Sequence, residues 1–228
     1  MKLLRLLAIM AFASTGLLSL ASAQSPTITG VVVKDTKCSY KVGGHNNPCS
    51  IGPGMTLSIN GSNFGKPGGT VTLCDCPPTT VVAWKSGQVI VIVNSVTPNA
   101  SLYLETIGGS FSNTVPYNPL GPVITSIVVG DCTYFPDQSP NLCKIAPGTQ
   151  FTINGSYFGP STGGGIVITC TSCGGGNATI DSWNPNWLTN PSPYNNQIVA
   201  TASQAICGST IAVWTDTMWS NYVPYTVC

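Results

Sequence analysis

The chain has 228 residues, only 7% of them charged, and a formal net charge of +1 at pH 7. Beyond residue 23 it contains six lysines, no arginine, six aspartates and one glutamate, which is a formal net charge of −1. Nucleic acids and anionic membrane surfaces are bound by clustered Lys and Arg, so this composition argues against both as partners. The low charge and high β-branched content also argue against a disordered chain.

The N-terminus has the pattern of a secretory signal. Lys2 and Arg5 precede an apolar stretch, residues 6–20. An A-x-A cleavage site follows at Ala21-Ser22-Ala23. The apolar stretch is short for a membrane span, and no stop-transfer pattern comes after it. We therefore predict a signal peptide at 1–23, a secreted or cell-surface protein, and no membrane insertion after cleavage.

Two copies of one sequence pattern follow the signal. Residues 28–33 (ITGVVV) match 124–129 (ITSIVV). Residues 51–65 (IGPGMTLSINGSNFG) match 145–159 (IAPGTQFTINGSYFG), and both copies end in SN-x-VPY. A repeat of roughly 100 residues is as long as a domain and much longer than a solenoid unit.

The repeat predicts two domains, 24–118 and 123–228. The segment 119–122 is the predicted linker between them. Because this linker is short and its prolines restrict the backbone, we expect it to hold the two domains at a nearly fixed angle.

Short β-branched runs alternate with Gly, Pro and Asn along each copy. In the first copy, Leu57 and Ile59 alternate with polar neighbours. Phe151 and Ile153 do the same in the second copy. A period of two predicts strands with one buried face, and no segment beyond the signal sustains a helical period. The fold class is therefore predicted to be all-β, with two tandem immunoglobulin-like β-sandwiches.

Each copy resembles the IPT/TIG domain, an immunoglobulin-like module. The resemblance rests on P-x-I-T, PG-x-x-x-x-INGS-x-FG and SN-x-VPY, and it covers nearly all of the chain beyond the signal. It implies a place among extracellular receptor regions or bacterial surface and polysaccharide-associated proteins. The same module also occurs in DNA-binding transcription factors, but secretion and the lack of arginine argue against that group. Fold alone does not choose among the remaining roles.

The motif also has a physical reading in each copy. In the first copy, Pro53-Gly54 turns the chain into a strand, Asn60-Gly61 tolerates positive φ, and Phe64 returns an aromatic ring to the core. The second copy has the equivalent residues Pro147-Gly148, Asn154-Gly155 and Phe158.

All ten cysteines lie beyond residue 23, and this even number indicates up to five disulfides in an oxidising compartment. Cys38 and Cys49 recur as Cys132 and Cys143 with the same separation. Each pair is therefore expected to close the loop between the first two strands of its copy. Closing such a loop stabilises by about 3 kcal/mol in the chain-entropy model.

The other six cysteines form a CxC, a CxxC and a separate pair. Cys207 and Cys228 have no equivalents in the first copy and are expected to pair with each other. The alternative is a metal or redox site, but zinc needs four ligands together and the two motifs lie in different domains. We predict structural disulfides, no metal and no cofactor. The remaining cysteines are Cys74, Cys76, Cys170 and Cys173.

No catalytic constellation is recognisable. His45 is the single histidine, no G-x-S-x-G elbow supplies a nucleophile, and Glu105 is the single glutamate. A carboxylate pair of the glycosidase type is equally unsupported. The chain is predicted not to be an enzyme.

The second copy differs most between Trp183 and Gln197. Aligning Trp84 with Trp183 gives an offset of 99 residues, whereas Gln88 and Gln197 give 109, so the second copy has a ten-residue insertion. Aromatic rings beside amides are typical of sugar recognition, and loops at the end of a sandwich often bind ligands. The candidate ligand-binding residues are Trp187 and Tyr194, with Trp214 and Trp219.

A second interpretation makes these aromatic residues structural, with Trp183 in the core like Trp84 and with Trp187 and Tyr194 capping the domain. The leading functional hypothesis is a non-enzymatic extracellular binding or adhesion protein whose partner is polysaccharide or another surface protein. The alternative is a structural or assembly protein of a surface layer or filament.

Overall fold

The structure, a computed structural model, describes residues 24–73, 79–99, 101–138, 143–160, 164–170, 178–184, 186, 190–203, 208–215 and 217–225, without the side chains of 167, 169 and 170. The predicted signal peptide, 1–23, lies outside this part. The elements in the described part are all strands, and it contains no helix long and apolar enough to cross a membrane.

The first copy contributes strands to three sheets within the described residues. A five-stranded antiparallel sheet has the order β2-β1-β4-β7-β6, a three-stranded sheet has the order β5-β8-β9, and β3 pairs in parallel with β10. The strands are β1 (Thr27–Val33), β2 (Cys38–Lys41), β3 (Ser50–Ile51), β4 (Thr56–Ser62), β5 (Thr70–Thr72), β6 (Thr80–Lys85), β7 (Gln88–Ile92), β8 (Ser101–Glu105), β9 (Val115–Pro116) and β10 (Asn118–Pro119).

The second copy repeats the two larger sheets in the same order. A five-stranded sheet runs β12-β11-β13-β16-β15 and a three-stranded sheet runs β14-β17-β18. The all-β sandwich fold predicted from the period-two pattern is confirmed. The strands are β11 (Val123–Val129), β12 (Cys132–Tyr134), β13 (Gln150–Ser156), β14 (Gly165–Cys170), β15 (Ala178–Trp183), β16 (Asn196–Ala202), β17 (Ser209–Trp214) and β18 (Val223–Tyr225).

Each copy has its own hydrophobic core, built from the inward side chains of its sheets. Leu57 and Ile59 are fully buried in the first core, and Phe151 and Ile153 are buried in the second. Burying side chains of this size contributes roughly 1.5 to 3 kcal/mol each. The alternation read from the sequence therefore marks the residues that hold the sheets together.

The Pro-Gly motif forms a β-turn in both copies. The Met55 N–H donates to the Gly52 carbonyl over 3.3 Å, and the Thr149 N–H donates to the Ala146 carbonyl over 3.0 Å. Gly54 has a φ of 85°. A proline followed by a residue with positive φ is the signature of a type II turn, as the motif predicted.

The Asn-Gly motif works differently from the expectation. Gly61 lies inside β4, and the positive φ values fall later in the motif, 61° at Asn63 and 62° at Tyr157. Gly61 is required because a Cβ there would lie 2.5 Å from Cζ of Phe64 and would also meet the Thr27 carbonyl. The prediction of positive φ at this glycine is wrong, and close approach of the Phe ring explains the residue instead. Gly155 stands in the same relation to Phe158 and Val123.

An asparagine clasp, Asn113 in the first copy and Asn221 in the second, connects the two ends of each copy. The Asn113 Oδ1 accepts a hydrogen bond from the Ile28 N–H over 2.7 Å, and its Nδ2 donates to the Ile28 carbonyl over 3.1 Å. Asn221 makes the same pair with Ile124, over 2.7 and 3.2 Å. These bonds hold the first strand of the larger sheet to the final segment of the copy. The SN-x-VPY motif therefore has a structural role.

Two of the predicted disulfides are present. Cys38 and Cys49 are bonded with an S–S distance of 2.03 Å, and Cys132 and Cys143 with 2.06 Å. The prediction from matched spacing is confirmed for both pairs. The remaining bridges stay predictions because the residues or side chains concerned lie outside the described part of the chain: Cys74, Cys76, Cys170, Cys173, Cys207 and Cys228.

The predicted linker begins as part of the first copy. Asn118 and Pro119 form β10, and the Leu120 N–H donates to the Ile51 carbonyl over 2.8 Å. Met218 of the second copy packs against Gly121 and against the first core. The limits of the two domains remain a prediction, but the connecting segment is held by contacts on both sides.

The two copies meet at a junction, which we define as the Gly52–Gly54 turn together with the second-copy residues that touch it. The Tyr157 ring covers Gly52, where a Cβ would lie 2.7 Å from Cδ1. The insertion covers Gly54, where a Cβ would lie 2.5 Å from the Pro193 nitrogen. The turn is consequently buried, whereas the equivalent Pro147-Gly148 is exposed. The Pro-Gly turn of the first copy therefore also forms part of the contact between the copies, whereas that of the second copy does not.

Replacing Gly54 with Ala is expected to destabilise the protein more than replacing Gly148 with Ala. Both residues have positive φ, 85° and 77°, so each substitution costs about 1 to 2 kcal/mol of backbone strain. Only the methyl at residue 54 also displaces Pro193, which adds about 1 to 3 kcal/mol. Urea denaturation of the two variants measures the difference. Equal free energies of unfolding for the two variants would show that Gly54 is not packed against the second copy.

Candidate functional site

The insertion is partly buried and is fixed by its own amides. Trp183 is buried, and its Nε1 donates to the Gly159 carbonyl over 3.0 Å, much as Trp84 Nε1 donates to Phe64 over 3.1 Å. The core interpretation of Trp183 is therefore confirmed. Trp187 lies outside the described residues. Tyr194 is 41% exposed and meets the Tyr157 ring edge-on, with centroids 5.9 Å apart.

Two asparagines of the insertion brace the backbone. The Asn184 Oδ1 accepts from the Gln197 N–H over 2.9 Å. The Asn196 Oδ1 accepts from the Phe158 N–H over 2.8 Å, and its Nδ2 donates to the Ser192 carbonyl over 2.8 Å. Both residues are buried. Their amides therefore give the loop one defined shape.

An uncharged cleft of about 180 Å³ lies in this braced loop, and we call it the amide cleft. It is smaller than a typical small-molecule pocket, which begins at about 300 Å³. Its walls offer hydrogen-bond donors and acceptors without ionised groups, which suits hydroxyl groups of a ligand. The lining residues are Asn184, Asn186, Asn190, Ser192, Asn195, Asn196 and Gln197.

A second feature is the aromatic platform, formed by Trp214, Trp219 and Tyr222. Trp219 and Tyr222 are 51% and 57% exposed, and their rings are nearly parallel, at 17° with centroids 6.4 Å apart. The half-buried Trp214 ring is tilted by 58° against Trp219, also at 6.4 Å. Three aromatic side chains are thus gathered on one surface of the second copy.

Local structure determines the direction of these rings. Between Trp219 and Tyr222 stand Ser220 and the clasp residue Asn221. Ser220 is buried, and its Oγ accepts from the Val213 N–H over 2.9 Å. Asn221 bonds to the backbone of Ile124, so both residues between the rings fix the backbone, while Trp219 and Tyr222 stay exposed. A rigid backbone below a binding surface reduces the entropy lost on binding.

Tyr222 was absent from the sequence-derived candidates. It occupies the variable position of SN-x-VPY, where the first copy has Thr114. The change from threonine to tyrosine, in a motif that is otherwise identical in the two copies, is the sequence signal that could have identified Tyr222.

The platform and the amide cleft lie at the same end of the second copy. A Cβ at Gly164 would lie 2.6 Å from Cη2 of Trp183 and 3.0 Å from the Trp214 carbonyl. Trp183 leads directly into Asn184 of the cleft, and Trp214 belongs to the platform. A ligand longer than one small ring is therefore offered stacking and hydrogen bonding at one end of the sandwich.

Among the described residues, the single histidine and the possible metal ligands lie apart from the platform and the amide cleft. His45 is exposed in the loop closed by the first disulfide. Within the described ranges, no three His, Cys, Asp or Glu side chains are grouped so that they would hold a metal ion.

No family model and no curated protein match the chain. Among solved structures, the γ-CGTase of alkalophilic Bacillus clarkii matches at 14% identity over 91% of this chain and 26% of that chain, with a TM-score of 0.34. The surface glycan-binding protein PbSGBP-B of Prevotella bryantii matches at 16% identity over 88% and 42%, with a TM-score of 0.34.

A third match is SGBP-B from a complex xyloglucan utilization locus in Bacteroides uniformis. The identity is 18% over 89% of this chain and 50% of that chain, with a TM-score of 0.28. The chain therefore spans between a quarter and a half of these solved proteins. Matches with TM-scores this low carry no information about what this chain binds.

Stability at alkaline pH tests the contact between Tyr157 and Tyr194. Burial, followed by the hydrogen bond with Tyr194, raises the pKa of Tyr157 to about 12. Because the unfolded pKa is about 10, the stabilisation is complete below about pH 10 and is lost as the pH rises through about 12. Urea unfolding of wild type and Tyr157→Phe across this range measures the loss. We expect a shallower decline in the variant, and identical slopes would contradict the assignment.

Proposed function

We propose that the chain is a non-enzymatic extracellular protein that binds polysaccharide through the aromatic platform of its second copy. The observation that carries the proposal is the pair of exposed, nearly parallel rings of Trp219 and Tyr222. Large exposed aromatic side chains gathered in one patch mark interaction surfaces. Sugar rings have apolar C–H faces that stack on aromatic rings, so the platform fits this ligand class.

The remainder of the proposal concerns the ligand's polar groups and charge. The amide cleft supplies neutral hydrogen-bond partners for sugar hydroxyls, and Tyr194 with Trp187 are proposed as flanking contacts. The low charge of the chain fits a neutral ligand, which would be recognised without electrostatic steering. Binding of this kind is insensitive to salt.

Family and location form part of the same proposal. Each copy is proposed to be an IPT/TIG module, at 24–118 and 123–228 with the linker 119–122. The two disulfides support an oxidising compartment, since such bonds are rare in the cytosol. Together with the signal pattern at 1–23, they support secretion or display at the cell surface.

Loss of binding in Trp219→Ala and Tyr222→Ala tests the proposal. Each substitution is expected to weaken the affinity for a bound neutral polysaccharide by roughly tenfold, because one stacked ring is lost. Affinity gel electrophoresis against a panel of neutral polysaccharides identifies the ligand, and isothermal titration measures the change. Phe135→Ala is the matched control, since this ring is also exposed on the second copy.

Three further measurements complete this test. Trp187→Ala and Tyr194→Ala report on the flanking contacts. Affinity is expected to be unchanged between about 0.05 and 0.5 M salt. Wild-type protein that binds none of the panel, or binding that Trp219→Ala leaves intact, would overturn the proposal.

A structural or assembly role is the second candidate. Strand β6 is the last strand of its sheet among the described residues, and Val82 on it is 58% exposed. Exposed apolar residues on an edge strand favour pairing with another sheet. The register shift between Val81 and Ala83 interrupts the edge and disfavours such pairing.

The assembly candidate predicts that Val82→Lys reduces self-association. A charged residue on an edge strand prevents edge-to-edge pairing. Light scattering over a range of protein concentrations measures the mean mass of wild type and variant. Wild-type protein that stays monomeric at every concentration would eliminate this candidate.

A further inference from the structure

The first copy has a counterpart of the aromatic platform. An isolated bridge joins Glu105 to Phe111, and the equivalent bridge in the second copy joins Trp214 to Trp219. The Ser-Asn motif follows each bridge directly. Phe111 therefore occupies the position of Trp219, and Glu105 that of Trp214.

The counterpart is aromatic and accessible. Phe111 is 57% exposed, and its ring lies 6.1 Å from that of Tyr103, tilted by 59°. Along β8, Leu102 and Leu104 point into the core, so Tyr103 and Glu105 lie on the outer face of the sheet. We name Tyr103, Glu105 and Phe111 the first-copy face.

Polar groups surround these rings. Thr70 stands opposite Glu105 across the ladder, and Thr72 stands opposite Tyr103. A cleft of about 250 Å³ adjoins the face. Its lining residues are Gly68, Gly69, Thr70, Glu105, Thr106, Ile107 and Gly109.

Two glycines form one wall of this cleft. Gly69 packs on its core side against the buried Trp84, where a Cβ would lie 2.5 Å from Cη2, and against the Glu105 carbonyl. At Gly68, where φ is 118°, a Cβ would lie 2.9 Å from Cδ1 of Ile107. The cleft beside Glu105 is therefore lined by backbone on this side, within reach of a ligand's hydroxyl groups.

We propose that the first-copy face is a second binding site for the same neutral polysaccharide, which rests on the function proposed above. One sugar ring lies on Phe111, and the Glu105 carboxylate and the threonine hydroxyls bind its hydroxyl groups. A carboxylate repels anionic ligands, so the occupant is a neutral chain.

Two sites on one chain bind a long polymer more tightly than either site binds alone. Once one site is occupied, the second meets the same polymer at a high effective concentration. The junction favours this effect, because contact between the copies lowers the entropy cost of presenting both faces to one polymer. Short oligosaccharides that reach only one site do not benefit.

The experiment compares polymer with short oligosaccharide. Wild type, Phe111→Ala, Trp219→Ala and the double variant are titrated with the polysaccharide that wild type binds and with a hydrolysate too short to span both sites. Val82→Ala is the matched control, because Val82 is equally exposed on the first copy. Urea midpoints close to wild type establish that the variants are folded.

Phe111→Ala is expected to weaken polymer binding by about tenfold to a hundredfold. With the short oligosaccharide, the stoichiometry falls from two to one while the affinity of the remaining site is unchanged. The double variant binds both ligands more weakly than either single variant. Glu105→Gln is expected to weaken binding at the first-copy face. Stronger binding in this variant would contradict the proposal that the ligand is neutral.

The outcomes separate the two proposals. If Phe111→Ala behaves like Val82→Ala with both ligands while Trp219→Ala weakens binding, the second site is wrong and the proposed function stands. If wild type binds no polysaccharide, the proposed function is itself wrong.

Discussion

One asparagine side chain closes each copy. Asn113 bonds to the backbone of Ile28 across 85 residues, and Asn221 bonds to Ile124 across 97. Closing a loop of this length costs conformational entropy, which the hydrophobic core and the sheet hydrogen bonds of each copy offset in the folded state. The clasp also determines the exposed surfaces, because Phe111 lies two residues before Asn113 and Trp219 two residues before Asn221. The clasp and the proposed binding surfaces therefore share the same short segment.

The junction gives the two copies different roles although they share one fold. In the first copy the Pro53-Gly54 turn is covered by the insertion, and in the second copy the same turn faces solvent. Tyr157 adopts positive φ where the first copy has Asn63, a residue type that tolerates this conformation better. The packing of the Tyr157 ring against Gly52 and Tyr194 offsets that strain. A substitution that is mildly unfavourable within one sandwich is thus maintained by contact between two.

Comparison of matched positions in the two copies gave two predictions that the structure confirms. Matched spacing identified Cys38–Cys49, and alignment with Trp84 correctly placed Trp183 in the core. The role of Gly61 was misread because φ is a local property, whereas the Phe64 ring that occupies the space is brought there by tertiary packing.

The contacts between the copies could not be predicted from the sequence patterns. The sequence predicted that the insertion is an exposed recognition loop. In the structure, Pro193 is buried against the first copy, and the Asn196 side chain accepts a hydrogen bond from the Phe158 backbone. No periodicity records a contact between Gly54 and residues nearly 140 positions away. The aromatic platform was recognised only in part, because ring geometry depends on the hairpin that holds Trp219 and Tyr222 together.

The presence or absence of one methyl group distinguishes the two copies at the junction. Gly52 lies beneath the Tyr157 ring with no space for a Cβ, and the corresponding residue of the second copy is Ala146. If the copies were exchanged along the chain, Ala146 would take the place of Gly52 and Asn63 the place of Tyr157, so the contact of a ring on a glycine would be lost. The contact between the copies is therefore directional, because it needs the glycine in the leading copy and the tyrosine in the trailing copy. A third repeat added at the C-terminus would meet Ala146 and would need a different way to dock.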